Sequence, residues 1–534
     1  MGQKDVYVMP ENTSRSLGRD AQRNNILAAK VVADIVKTTL GPKGMDKMLV
    51  DSTGEVIVTN DGVTILEEMD IDHPAAKMIV EIAKTQESEV GDGTTTAAML
   101  AGKLLERAET LLDKNIHPTV IVKGYKLGAE KALSILNELA IEVTDLSILR
   151  KIAMTAMTGK GAEGNKESLS ELIVRAVDQV SEKGNVDVDN IKIEKLRGDS
   201  IENSELVQGI VLSKERANKD MPSFIEDARI LLVDFPLEIK QMEKETRISI
   251  TSPEQLESFI ESEEKYLKGL VQKIKDVGAN VVFCQKGIDD VAQYYLARAG
   301  IFACRRVEKD DLEKLARATS GKIISSLQDL NSEELGEAEI VEEVKEGEES
   351  LTYVRGCLNP KAVSLVLRAG SFHVLDEVER AVKDGLGDVI SAVKSEKIVS
   401  GGGAVEIELS KRLRIFARTL GGREQLAVEE FANAFECIPE ALADNAGLDP
   451  IDIITELRQR HEAGGMRDGI NLFTNKVEDA FDAGIIEPLK VKSQAISSAS
   501  EVAMMILRID DVLISENKDV GRKGKMPENY DGMD

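Results

Sequence analysis

Tryptophan is absent, and aromatic residues of every kind make up only 3% of the 534 residues, so a core must rest on Ile, Leu, Val, Ala and Met. The four histidines, His73, His117, His373 and His461, are never three or four residues apart, which argues against a zinc site. The four cysteines, Cys284, Cys304, Cys357 and Cys437, stand far apart without a CxxC pair; they read as packed, reduced thiols, not as a disulfide framework. No apolar run reaches the roughly 18 residues of a membrane span, and MGQKDVYVMPENTSRS lacks the apolar stretch of a signal peptide. Val6 stands where myristoylation wants Ser or Thr. Basic residues are the minority: 68 Lys and Arg against 95 Asp and Glu leave a net charge of −27, unsuited to a nucleic-acid backbone. The expectation is a soluble, cytoplasmic protein that engages neither membrane nor nucleic acid.

What is present is a globular composition, 42% hydrophobic and 31% charged, in a chain long enough for roughly three or four domains. The first 145 residues read as mainly helical. Ile26, Leu27, Val31, Ile35 and Val36 recur near helical spacing between Asp20 and Leu40, and Leu40-Gly41-Pro42 stops that helix. A β-like stretch follows over Met48 to Val58, interrupted at Thr53-Gly54 and ended by Asn60-Asp61-Gly62. A second helix opens after Gly93, and a third is expected over about 120–139. Beyond a glycine-rich break at 155–165, strands are expected at Val186–Ile193, Ile230–Phe235 and Val281–Cys284, with a charged helix from Pro253 to Lys275. The acidic segment NSEELGEAEIVEEVKEGEES, 331–350, reads as a solvated connection. After about residue 370 the pattern is helical again, and the tail after about Ser515 is polar. Helical ends around a β-rich middle suggest an inserted domain.

Several short stretches carry chemistry. TTLGPKGMDKML, Thr38–Leu49, contains a glycine turn that is ordinary loop material, yet its freed amides suit phosphate oxygens. GDGTTT, Gly91–Thr96, sets glycine amides, three hydroxyls and a helix start at one spot, which suits an anion; a threonine-capped helix start reads equally well. Asp92 is a hard oxygen ligand that would repel phosphate unless a cation such as Mg²⁺ lies between them. GKGAEG, Gly159–Gly164, has dinucleotide spacing, but KIAMTAMT before it is no strand, so a loop presenting Lys160 is the better reading. Asp384 alone is one acid on a charged helix, and Gly401-Gly402-Gly403 alone is a linker.

Taken in order, TLGPKGMDKML, VTNDGVTIL, GDGTTT, TGKGAE, SGGGAVEIE, NLFT and GIIEPLKVK resemble the group II chaperonins, above all the archaeal type, over about residues 8 to 515. The resemblance implies a multidomain, α-rich α/β fold. Both chain ends, 1–144 and 402–534, would form an equatorial ATP-binding domain. An intermediate hinge domain would take 145–214 and 370–401, and an apical domain 215–369, with a lid protrusion at about 238–268. It implies an ATPase whose turnover closes that lid over a chamber for non-native proteins. The subunits, alike or paralogous, would form two stacked rings of about eight, with a prefoldin-type co-chaperone as a further partner.

The same resemblance assigns Leu40, Gly41, Pro42, Gly93, Thr94, Thr95 and Thr96 to the phosphates, with Asn60 beside them, and Lys160 to a loop sensing the γ-phosphate. Asp92 would hold Mg²⁺; Asp61 and Asp384 would position and activate the attacking water. Gly402, Asn471, Leu472 and Glu487 would contact the nucleoside. ATP or ADP and Mg²⁺ are the implied cofactors, with K⁺ as a further cation. Two features depart from the pattern. Gly385 replaces a common Ala after Asp384, at a cost of about 1 kcal/mol in a helix, which predicts a looser helix there. The tail lacks a Gly-Gly-Met-rich ending. Two other function classes remain: a passive ring-forming holdase, disfavoured by the intact Asp61, Asp92 and Asp384, and a metabolic ATP or NAD enzyme, for which no small-substrate constellation stands out.

Overall fold

The computed structural model describes residues 13–50, 54, 56–182, 184–239, 253–326, 330–346 and 349–515. The two ends of the described chain pair with each other: Thr13–Leu17 runs antiparallel to Asp511–Ser515, and Arg15 closes the ribbon on Asp511 at 2.6 Å. Helices from both ends then share one core. Gly18–Lys37, Pro74–Val90, Thr94–Asp113 and Pro118–Leu139 come from the front; Ala404–Ala417, Arg423–Ala434, Cys437–Asn445 and Leu489–Leu507 come from the back. In Thr94–Asp113 the buried Ala97, Ala101, Leu104, Ala108 and Leu111 recur at helical spacing and form a stripe that turns inward. The scarce aromatics join the two ends: Tyr125 meets Phe431 at 5.3 Å and Phe431 meets Phe435 at 5.5 Å, both edge-on.

The first helix differs from its expected form. It spans Gly18–Lys37, and its buried stripe is Ile26, Ala29, Val32, Ala33 and Val36, whereas Leu27 and Val31 are 60% and 50% exposed. Alanines on the inner face allow the close approach of Thr94–Asp113, so large side chains were the wrong guide to that face.

A second core lies between Leu146–Met157, Lys166–Val180 and Phe372–Ser395 and a three-stranded sheet. In that sheet Val363–Ala369 is parallel to Ile191–Arg197 and antiparallel to Glu205–Val207. The strand expected at 186–193 begins later, after a 3₁₀ turn at Val188–Asn190 whose start is capped by Asp187. The third region is a seven-stranded mixed sheet built on Phe224–Val233: Val281–Cys284, Phe302–Cys304 and Ile323–Ile324 run parallel to it, and Gly336–Glu346, Glu349–Arg355 and Gly209–Leu212 follow from it in turn, each antiparallel to the strand before it.

The acidic segment expected to be a connection is thus strand over Gly336–Glu346, pairing on both sides. At its start Gly336 and Ala338 are buried while Glu337 and Glu339 are exposed, so these acids are the solvent face of a period-two alternation. The helix Pro253–Asp276 packs through Leu267, Val271 and Ile274; much of the expected lid, residues 240–252, lies outside the described residues, as does the tail after 515. All four cysteines are buried thiols; burial pushes Cys284 up to about 11 and Cys304, Cys357 and Cys437 up to about 12. Among the described residues no helix is long and apolar enough to cross a membrane.

Candidate functional site

A cavity of about 500 Å³ opens where the first core meets the second. Leu40, Gly41, Pro42, Asn60, Asp61, Asp92, Gly93, Thr94, Thr95, Thr96, Lys160, Gly402, Asn471, Leu472 and Glu487 all line it. Its floor is the start of Thr94–Asp113. Gly91 and Gly93 hold φ values of +87° and +81°, which a residue with a Cβ rarely adopts, and Gly93 caps the helix without a side chain. The first amides of that helix therefore keep their donors for whatever enters. Gln86, fully buried, fixes the turn from behind by donating to the Asp92 carbonyl at 2.8 Å and to the Val491 carbonyl at 3.2 Å.

Asp61 caps a neighbouring helix, Gly62–Glu68. Its Oδ2 accepts from the Thr64 amide at 3.0 Å and the Thr64 hydroxyl at 2.6 Å, which fixes the carboxylate at the cavity wall. The loop that presents Lys160 lies directly on the 41–42 turn: a Cβ on Gly159 would sit 2.5 Å from Pro42 Cα, so only glycine permits the contact. Asn60 Nδ2 ties that loop to the segment carrying Asp61 by donating to the Gly159 carbonyl at 2.8 Å. Asn471 borders the cavity with a side chain already engaged, donating to Glu478 at 2.6 Å and accepting from the Phe473 amide at 2.9 Å. Its part is to shape the turn that carries Leu472.

Asp384 is the one expected site residue that does not line the cavity. It is 6% exposed and lies behind Lys160, which donates to its Oδ2 in a short ion pair and stands 3.8 Å from Asp92. Asp384 thus stands beside the site, sheathed by a lysine from its own core. Burial raises the Asp384 carboxyl, Lys160 pulls it down, and Asp92 and Asp61 raise it again, which leaves it at about 7. Lys160 is the reverse case: burial lowers its pKa, but Asp384 and Asp92 outweigh that and hold the ammonium charged.

Other residues at the site had no place in the sequence reading. Lys492, 5% exposed, bridges Glu406 at 2.8 Å and Glu487 at 2.7 Å. Glu87 is pushed up to about 8, by burial first and then by Asp384, Asp61 and Asp92. Asp388, one turn beyond Asp384, is 1% exposed and borders the cavity; burial and then Asp92 and Glu487 drive its pKa well above the carboxylate range. A usable signal existed for two of them. Asp384 and Asp388 stand four apart on one helix face, and Gln86 is a polar residue in the stripe Ile79, Ile82, Ala83, Gln86, Val90.

A chain whose ends build one core, whose flanking segments build a second and whose middle builds a third, with an anion-ready helix start between the first two, has the make-up of a chaperonin subunit. The chain belongs to the TCP-1/cpn60 chaperonin family, whose model matches residues 32–517, and within it to the archaeal group II subunits, which are ATP-dependent chaperones. It is 57% identical over 533 residues to a thermosome subunit beta of Archaeoglobus fulgidus, covering 98% of both chains. A thermosome subunit of Methanopyrus kandleri is 56% identical over 516 residues, covering 96% of this chain and 95% of that one. A thermosome subunit alpha of Archaeoglobus fulgidus is 55% identical over 533 residues, covering 99% and 97%.

Proposed function

We propose that the cavity binds ATP and hydrolyses it to ADP and phosphate, and that this turnover closes a lid over a chamber in which non-native proteins fold. The observation that carries the reading is the meeting of Asp61 and Asp92, from the first core, with the Lys160–Asp384 pair from the second, over one open helix N-terminus. The amides of Thr94–Thr96 and the 41–42 turn would take the phosphates, and Leu472, Gly402 and Glu487 would face the nucleoside.

The donor set fits Mg²⁺. Asp92 offers a hard oxygen that caps no helix, and carboxylates around the phosphate end call for a cation. Among the described residues no three His, Cys, Asp or Glu side chains are grouped to hold a metal by themselves, which suits an ion that takes its other ligands from phosphate and water. When bound, the ion supplies charge neutralisation during phosphoryl transfer. Asp61, immobilised by its cap, orients the attacking water. Lys160 offers its ammonium to the incoming phosphate and so releases Asp384, whose raised pKa suits it to accept the water's proton. Lys160 and Asp384 both belong to the second core, so the state of the phosphate is transmitted to the hinge.

On this reading the three regions are an equatorial domain (1–144 and 402–534), an intermediate domain (145–214 and 370–401) and an apical domain (215–369) with a protrusion near 238–268. Subunits, alike or paralogous, stand in two stacked rings in the cytoplasm and receive non-native clients, with a prefoldin-type partner. The test is Asp384→Ala in the assembled particle. ATP binding should persist while hydrolysis and ATP-driven closure are lost; near-normal steady-state turnover would remove Asp384 from the reaction, and a monomer by negative-stain microscopy would end the ring reading.

A further inference from the structure

The Phe372–Ser395 helix brings a second acid to the cavity. Asp388 Oδ1 is buried and has no hydrogen-bond partner among the described residues, although the residue borders the cavity. An unpartnered carboxylate oxygen is costly to bury, and a site that keeps one at its wall has something for it to bind.

Backbone contact puts it there. Gly387 lies against the turn that presents Asp92: a Cβ at 387 would stand 2.7 Å from the Val90 carbonyl oxygen and 3.1 Å from Gly91 Cα. The helix therefore rests on that turn, and its next residue is set within electrostatic reach of Asp92, Glu487 and Asp384. The nearby cations are engaged elsewhere, Lys160 with Asp384 and Lys492 with Glu406 and Glu487. No ion pair to either lysine answers Asp388, so the local surplus of negative charge calls for a cation from solution.

We propose that Asp388 is a positioning residue for the divalent cation of this site, its free oxygen accepting hydrogen bonds from water bound to the ion that Asp92 ligates directly. The proposal rests on the reading of Asp92 as the metal ligand. Contact through water follows from the absence, among the described residues, of three side chains grouped to ligate one ion, and from the preference of Mg²⁺ to keep several waters. The consequence is mechanical as well as chemical. The helix that carries Asp384 would be tied to the ion through Asp388, so loading the metal and placing the catalytic helix would be one event.

The experiment is calorimetric titration of the assembled, full-length protein with ADP at stepped Mg²⁺ concentrations, for the parent chain and for Asp388→Asn, Asp388→Val and Asp92→Asn. The Mg²⁺ concentration for half-maximal binding should rise about 10–100-fold in both Asp388 variants, while ADP affinity in EDTA stays unchanged. Valine fills a similar volume and removes the buried charge, so Asp388→Val should melt, nucleotide-free, no lower than the parent; this keeps the test usable if the asparagine variant assembles poorly. Unchanged Mg²⁺ dependence in Asp388→Val, or equal weakening with and without Mg²⁺, would overturn the proposal and leave Asp92 in place. If Asp92→Asn also keeps the parent's Mg²⁺ dependence, the metal assignment itself falls.

Discussion

Asp61-Gly62 and Asp92-Gly93 are the same dipeptide at the mouth of the same cavity, and the protein uses them in opposite ways. In the first, Asp61 is the helix cap, and its carboxylate is held by the Val63 and Thr64 amides and the Thr64 hydroxyl. In the second, the helix starts one residue later relative to the acid. Gly93 occupies the cap position, no side chain caps the helix, and Asp92 is held by its backbone, through Gln86 on its carbonyl. One acid thus has a carboxylate fixed by its own helix, and the other a fixed backbone with a carboxylate that meets only the distant charge of Lys160, at 3.8 Å. A group that must orient a water needs the first; a group that must reach a metal needs the second. A shift of one residue in helix register separates the two roles proposed for these acids.

The largest effect expected from this contrast is at Asp92. Asp92→Asn should lower ATP hydrolysis roughly a hundred- to a thousandfold, the scale of losing a main electrostatic element of a reaction. Because the side chain caps nothing, the melting temperature should hardly move. A variant that melts well below the parent would show that the carboxylate was structural, and the contrast would collapse. Asp61 should behave differently. Asp61→Ala should slow turnover by roughly a hundredfold or more and also lose on the order of 1 kcal/mol from the missing cap. Asparagine caps nearly as well as aspartate but brings no negative charge to hold and orient the water, so Asp61→Asn should keep the parent's stability and still lose turnover. Equal melting of Asp61→Ala and Asp61→Asn would mean that the cap contributes nothing.

Much of this was legible beforehand, because the relevant signals are local. Asp-Gly turns, a GDGTTT helix start and a glycine loop after a helix announce themselves by spacing, whereas Asp384, Gly402, Asn471, Leu472 and Glu487 stood out only through the family resemblance; all lie at the cavity or, for Asp384, immediately behind it. What the sequence hid depends on packing between distant segments. Asp388 looks like another surface acid until Gly387 is seen resting on Gly91, nearly three hundred residues earlier. Gly385 looked like a weak point in its helix; the helix runs unbroken from Phe372 to Ser395, and Ile173 fills the space beside it, with its Cδ1 2.9 Å from where a Cβ would be. The acidic 331–350 segment was misread because acid content outweighed the alternation beneath it. Leu27 and Val31 were misread because burial in the first helix follows the small residues that let two helices approach.

The smallest expected effect concerns the unanswered negative charge on the Asp92 side of the comparison. Burial, followed by the charges of Asp384, Asp61 and Asp92, pushes the Glu87 carboxyl up to about 8, and Asp384 stands at about 7, whereas both ionise near 4 in an unfolded chain. Between about pH 4 and 8 the folded, nucleotide-free protein therefore binds more protons than the unfolded chain, and these two groups make stability fall as pH rises. Below that window both states are protonated and the penalty is absent; above it the penalty is complete. Glu87→Gln removes one of the two groups and leaves Asp384 in place. Melting temperatures taken at whole pH steps from 5 to 8, without nucleotide, should thus decline less steeply in Glu87→Gln than in the parent, with the two diverging most at the alkaline end. A parallel decline would show that Glu87 does not feel the charges around Asp92. A steeper one would mean that its carboxylate stabilises the fold when ionised, the opposite of what its burial among three acids implies.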